Sequence, residues 1–378
     1  MSAITGQPAP KPLAGAASKI ASTEGAAAIA VSSSTDIIFE ILSRLPVKTL
    51  CRFRCASKQW RALISDPIFQ TTHDSRVKPL LVGRDGASLR LMDMEGNVVR
   101  TMDGVDPWWM LYCSVHGHAC VANGQSPDPQ VIDLATGKML LPGPNLPETP
   151  HYYYGYSVYT YGFGRTALSH VYKVVRYRRG RFFHPCDVLT LGDGVGWRQT
   201  QSPPTLVSLS YNQRSVAING VLHLFVLGEN NILCYDLDSE AWNKKIEGPS
   251  EAIMRDPSVK TRNASMAELN GALCMVQTKV HTSGHSCTDM WLLTDSDNNT
   301  WSKTYTIWMA TTVDLVKPLR MMPEGGKLLF YYMKGNSTPI MQIFDPRDQT
   351  CTNMMGTTTG LTGTIVLCNL RLGRFVSV

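Results

Sequence analysis

The chain has 378 residues, 43% of them apolar, and a formal net charge of +6 from 36 basic and 30 acidic side chains. That length fits two or three domains, or a small module beside one large all-β unit. The charge is too modest for a nucleic-acid-binding surface, and no run of eighteen apolar residues could span a bilayer, so neither nucleic acid nor membrane is expected as a partner.

Residues 1–33 are rich in Ala, Ser, Gly and Pro and almost devoid of large apolar side chains. Such a segment cannot bury enough surface to offset the entropy of ordering, so a disordered tail is expected. Its basic residues are Lys11 and Lys19, with no sustained apolar stretch after them, which is not the pattern of a secretory leader.

The next segment, 34–72, has a helical period. Ile38, Ile41, Leu42 and Leu45 fall at i, i+3, i+4 and i+7, which predicts one amphipathic helix. Ser33 with Asp36 gives capping-box spacing at its start, and Pro46 breaks it. A short second helix is expected over Val47, Leu50 and Phe53. A third, carrying Trp60, Leu63 and Ile64, stops before Pro67, because proline disfavours helical backbone at Asp66. Three helices this short cannot enclose all of this apolar surface, so part of it should be left for another protein. Between Asp36 and Arg61 the charges are Arg44, Lys48, Arg52, Arg54, Lys58 and Arg61 against Asp36 and Glu40, so the partner surface should be acidic.

Identities in this block carry a resemblance as well as a period. Glu40-Ile41-Leu42, Arg44-Leu45-Pro46-Val47-Lys48, Arg52-Phe53-Arg54-Cys55, Ser57-Lys58, Trp60-Arg61 and Ile64-Ser65-Asp66-Pro67 resemble the F-box of plant F-box proteins that carry an F-box-associated domain. The resemblance implies docking to the acidic adaptor of Skp-cullin-F-box ubiquitin ligases, and through it to cullin. The implied contacts are Ile41, Leu42, Leu45, Pro46, Val47, Leu50, Phe53 and Trp60. Where such modules often open with Leu-Pro, this chain has Ser34-Thr35.

From about Val77 onward, short β-branched and aromatic runs alternate with Gly, Asn and Asp. Asn219-Gly220 and Asn270-Gly271 predict two-residue hairpin turns, with weaker copies in His118 to Gly124 and Pro323 to Met333. A second piece recurs six times: an apolar strand, an Asp, a polar turn and often a Trp. It is found near Asp93, in Val131 to Lys138, before Trp197, in Cys234 to Trp242, in Trp291 to Trp301 and in Gln342 to Thr350. Spacings of about forty to sixty residues match four-stranded propeller blades. Thr136 to Pro147, Tyr161 to Tyr177 and Asn219 to His223 also resemble landmarks of the F-box-associated domain, except that Arg165-Thr166 replace a usual Tyr-Asp. The expected fold is thus α+β and multidomain: a three-helix F-box at 34–72, then an all-β, kelch-like propeller of about six blades at 73–378.

Other constellations could in principle carry chemistry or recognition. Cys113, His116, His118 and Cys120 lie close together, but their spacing matches no zinc pattern, so no metal or other cofactor is expected. Tyr152, Tyr153, Tyr154 and Tyr156, with Tyr159 and Tyr161 behind them, form a weak candidate surface for a target protein. The basic run Lys173 to Arg181 reads as a solvated hairpin edge that discourages aggregation. Ten cysteines without paired spacing point to reduced thiols, hence to cytoplasm or nucleus. No catalytic motif is present, so the expected role is a non-catalytic substrate receptor of a ubiquitin ligase. The alternative is an F-box protein that binds a glycan or small ligand without driving degradation.

Overall fold

The structure, a computed structural model, describes residues 35–45, 47–76, 79–105, 110–123, 126–141, 159–178, 184–208, 210, 214–250, 257–322, 325–335, 338–354 and 360–368. The expected tail at 1–33 and the cap at Ser33 lie outside them. The chain divides into two compact units between 77 and 78.

The helical unit has four helices: α1 (35–42), α2 (Val47–Ala56), α3 (Lys58–Ser65) and α4 (Pro67–Arg76). Ser57 opens α3 by accepting the Trp60 N–H, and Asp66 ends it in extended backbone, as a residue before proline should. The same Asp66 starts α4, its carboxylate accepting from Ile68 N at 2.7 Å and Phe69 N at 3.3 Å. Pro67 is therefore both the end of one helix and the first residue of another, where its missing N–H costs nothing. The three-helix expectation is corrected to four, and the unit runs past 72 to Arg76. Leu42, Leu50, Ile64 and Phe69 form its core. The buried His73 ring nitrogen lies 2.9 Å from the Leu45 oxygen, and Arg76 reaches Glu40 at 2.9 Å, so α4 closes on the end of α1.

The second unit is a propeller of six four-stranded sheets. Blade one contains β1 (Leu80–Asp85), β2 (Ser88–Met92) and β3 (Val98–Asp103). Blade two is β4 (Met110–Val115), β5 (His118–Ala122), β6 (Gln130–Asp133) and β7 (Met139–Leu141). Blade three is β8 (Tyr159–Arg165), β9 (Tyr172–Arg178), β10 (Cys186–Thr190) and β11 (Arg198–Thr200). Blade four is β12 (Val216–Ile218), β13 (Val221–Phe225), β14 (Asn231–Asp236) and β15 (Ala241–Glu247). Blade five is β16 (Val259–Leu269), β17 (Ala272–His281), β18 (Ser286–Asp295) and β19 (Thr300–Met309). Blade six is β20 (Leu315–Met321), β21 (Leu328–Met333), β22 (Ile340–Asp345) and β23 (Thr350–Asn353). The last strand, β24 (Thr362–Cys368), returns to pair antiparallel with β1, Leu80 opposite Cys368, as the inner strand of blade one. Closure with strands from both ends ties the ring shut, so that no blade face is left bare as it would be in an open ring.

All six recurring Asp pieces lie between the third and fourth strands of a blade. The carboxylates of Asp93, Asp133, Asp193, Asp236, Asp295 and Asp345 each accept a backbone N–H two or three residues on, at 2.7–3.1 Å. They are turn formers, as their regular recurrence implies. Asn219-Gly220 and Asn270-Gly271 take positive φ between first and second strands. In blade two that turn is His116-Gly117, at φ 45° and 79°. The weak hairpin read at His118 to Gly124 is displaced, because 118–122 is already the second strand.

Candidate docking surfaces

On the helical unit, Ile37 and Ile41 stand one turn apart on α1 at 60% and 56% exposure, and Ile68 on α4 is also bare. Of the expected adaptor contacts, Ile41 is exposed, and Leu45, Phe53 and Trp60 are half-buried against the core with part of each surface outside. The Phe53 and Trp60 rings pack 4.8 Å apart. Leu42 and Leu50, at 3% and 0% exposure, are interior and shape the module. Pro46 and the Val47 side chain lie outside the described residues. Sequence periodicity missed Ile37 and Ile68, although Ile37 stands four residues ahead of Ile41.

Charge on this unit is lopsided. Arg44, Arg52, Lys58 and Arg61 are exposed, whereas Glu40 is engaged by Arg44 at 2.6 Å and by Arg76. Hydrogen bonds from Arg76 and then Arg44 hold the Glu40 carboxyl below its usual range. With that acid already paired, Arg52, Lys58 and Arg61 have no acidic partner among the described residues.

On the propeller, the basic run beginning at Lys173 is not a solvated edge. β9 lies between β8 and β10, and its cations point into ion networks. Lys173 is buried and bonds Glu240 at 2.7 Å, where Arg198 also binds through both terminal nitrogens. Arg176 meets Asp187 at 3.0 Å, lies over the Trp197 ring at 4.2 Å, and faces Asp128, to which the Trp197 indole donates. These contacts tie blade three to blades two and four and pair Lys173 and Arg176 with acids; residues 179–181 lie outside the description.

The Arg165-Thr166 departure is built into a turn by other means. Arg165 Nε donates to the His170 oxygen at 2.9 Å, and Thr166 Oγ1 accepts from Val171 N at 2.9 Å. Asp238 of blade four then accepts the backbone N–H of Ala167 and of Leu168.

The four candidate tyrosines, Tyr152, Tyr153, Tyr154 and Tyr156, fall outside the described residues. Tyr161 is buried, with its hydroxyl bonded to the Ser126 oxygen, and Tyr159 is half-buried. The exposed aromatic that sequence reading missed is Trp308, 60% bare, with the His281 and His285 rings 5.8 and 5.7 Å away. It sits at the end of β19 in blade five, whose strands of ten and eleven residues are longer than those of the other blades.

His116 lies in the turn before β5, at φ 45°, whereas His118 on β5 packs on Tyr172 at 4.1 Å. Burial pushes the Cys113 thiol up to about 12 and Cys120 well above its usual value, so both are neutral core groups. Among the described residues no group of His, Cys, Asp or Glu could hold a metal ion, and no helix is long and apolar enough to cross a membrane.

Comparison with known proteins agrees with this architecture. Residues 34–71 match the F-box domain, and residues 99–361 match the F-box associated beta propeller domain. An F-box/kelch-repeat protein of Arabidopsis thaliana is 25% identical, covering 79% of this chain and 74% of its own. A putative F-box protein of the same plant is 26% identical, covering 55% and 57%. F-box only protein 12, also from Arabidopsis thaliana, is 27% identical, covering 77% and 66%. This chain thus spans between about half and three quarters of the length of these relatives. With an F-box helical unit and a six-bladed ring that both match their family models, the chain belongs to the plant-type F-box proteins that carry an F-box-associated β-propeller domain.

Proposed function

We propose that this chain is the substrate-recognition subunit of a Skp-cullin-F-box ubiquitin ligase. The helical unit binds a Skp-type adaptor, and cullin through it, while the propeller holds a target protein. The observation that carries the reading is the pair Ile37 and Ile41, bare on α1 of a unit that also exposes Arg52, Lys58 and Arg61. An apolar stripe flanked by cations fits an acidic partner helix: burial supplies the affinity and charge the orientation. The half-buried Leu45, Phe53 and Trp60 extend that face, and Leu42 and Leu50 support it from inside.

No bond chemistry is assigned to the chain. Its contribution is to hold a target lysine near a separate conjugating enzyme, which makes the transfer effectively intramolecular. Trp308 is the kind of large, rigid side chain that anchors protein interfaces, and it offers a first target contact to test. The cysteines form no disulfide among the described residues, which fits residence in the cytosol or nucleus.

Affinity capture under proteasome inhibition tests this, comparing the intact chain with one lacking residues 35–76. Adaptor is lost from the shortened chain while the target is retained and becomes longer-lived in cells. Equal recovery of adaptor from both chains overturns the reading.

A further inference from the structure

Arg214 stands two residues before β12, the inner strand of blade four, and is 8% exposed. Its Nη1 donates to the Leu111 backbone oxygen on β4 and to Thr364 Oγ1 on β24, 3.2 Å away. Its guanidinium carbon lies 4.5 Å from the Tyr112 ring centre. Blades four and one are opposite in a ring of six, so a side chain that starts at one and bonds the other crosses the central channel. Lys317, on the inner strand β20 of blade six, donates to the Met266 oxygen on β16 at 2.7 Å. The Lys317 side chain is partly buried.

The channel therefore holds two cations, and among the described residues no carboxylate pairs with either. Burial first, and then the charge of Arg214, push the Lys317 ammonium down to about 7. The ionisable groups in the field of Arg214 are Tyr112, Cys113 and Cys120, all kept neutral by burial, and the one near Lys317 is Cys274, likewise neutral. Buried charge without a counter-charge is costly.

Unspent donors show what would relieve it. Arg214 Nε is buried and has no hydrogen-bond partner. Nη2 has only the Met110 sulfur, a weak acceptor, at 3.3 Å. Nε and Nη2 form the edge with which a guanidinium grips two oxygens of one anion. Lys317 has spent one of its three N–H groups on Met266. A dianion on the open edge of Arg214 would satisfy Nε and Nη2, and its second charge would offset that of Lys317, which lies in the field of Arg214.

We propose that the central channel of the propeller is a binding site for a dianionic oxyanion of the phosphate class, gripped side-on by Arg214 and paired with the Lys317 ammonium. The bound anion holds the proton on Lys317, so binding takes up protons near neutral pH. This site is independent of the adaptor surface.

Thermal unfolding of the full chain in sulfate, against chloride at matched ionic strength, tests the site. Sulfate raises Tm saturably in the wild type, Arg214→Met abolishes the saturable part, and Arg214→Lys, which keeps the charge but loses the fork, weakens it at least about tenfold. A linear rise shared by wild type and Arg214→Met is general salting of the surface and overturns the proposal. Should Arg214→Met fail to fold, Arg214→Lys decides, and an undiminished response there is equally fatal. Calorimetry with sulfate in two buffers of different ionisation enthalpy reads proton uptake, which Lys317→Met removes; uptake unchanged in that variant refutes the role of Lys317. Inorganic phosphate and glycerol phosphate, each competed against sulfate, separate the sources. Competition by phosphate alone marks a free-ion site, competition by both marks phosphate carried on a small molecule, and competition by neither overturns the phosphate assignment.

Discussion

The Asp238 carboxylate in blade four accepts the backbone N–H of Ala167, 2.7 Å away in blade three, and with it the amides of Leu168 and Ser169. One side chain thereby organises the loop 166–170, seventy residues away in sequence. Hydrogen bonds to an ionised acceptor are worth about 1.5–3 kcal/mol each at best, and these share one carboxylate. We expect Asp238→Ala to lower stability by about 1–3 kcal/mol and to release the amides of 167–169 in hydrogen exchange while the β13 amides stay protected.

Gly220 lies against the same loop. At φ 82°, a Cβ added there would stand 2.8 Å from Ala167 N. Gly220→Ala combines left-handed backbone with a clash against main chain, so it should cost more than the ~1 kcal/mol of an unstrained left-handed alanine. Gly271, with nothing within 4 Å of its Cβ position, should tolerate alanine better at nearly the same φ. Paired denaturant titrations would show the difference.

Glu240 gives the propeller an acid-sensitive tie. Hydrogen bonds from Arg198, opposed by burial and joined by Lys173, hold its carboxyl near 2. A depressed carboxylate adds stability that is complete above its unfolded value of about 4.5 and is lost as pH falls through about 2. Glu240→Gln should therefore cost about 3 kcal/mol at pH 7, much of it from leaving Lys173 buried without its partner. The gap between variant and wild type should narrow from pH 4.5 towards pH 2 in a series of urea titrations.

Within the helical unit, exposure separates docking from folding. Leu50→Ala opens a cavity in a core of four buried side chains and should cost about 2–5 kcal/mol, lowering adaptor binding through unfolding. Ile37→Asp should leave the circular dichroism melt unchanged and still weaken adaptor binding.

Much of the propeller was legible because its turns have one mechanical solution. An Asp that ends a third strand and receives the next amides can be read locally, and it recurs six times. The turn of blade two was misplaced because His116 in left-handed backbone is a weaker local sign than the Asn123-Gly124 pair a few residues on. α4 was missed because, in PIFQTTHDSR, Ile68 and Phe69 are the only large apolar residues, and Pro67 signals a stop as readily as a start. The run at Lys173 looked solvated because its acids, Asp128, Asp187 and Glu240, arrive from neighbouring strands and blades. Arg214 and Lys317 carry no local mark at all, since only ring closure brings them into one channel. On the helical face, the resemblance named positions but could not divide Leu42 and Leu50, which face inward, from Ile41, which faces out.

Direct titration of the purified full-length chain with a purified Skp-type adaptor is the most direct test, read by calorimetry beside the same titration of Ile41→Asp. The account predicts a one-to-one complex with the wild type, and binding weakened at least about tenfold by Ile41→Asp at unchanged Tm, because the lost contact lies on the surface. Absence of a complex with the folded wild type, or equal affinity for the variant, would contradict it.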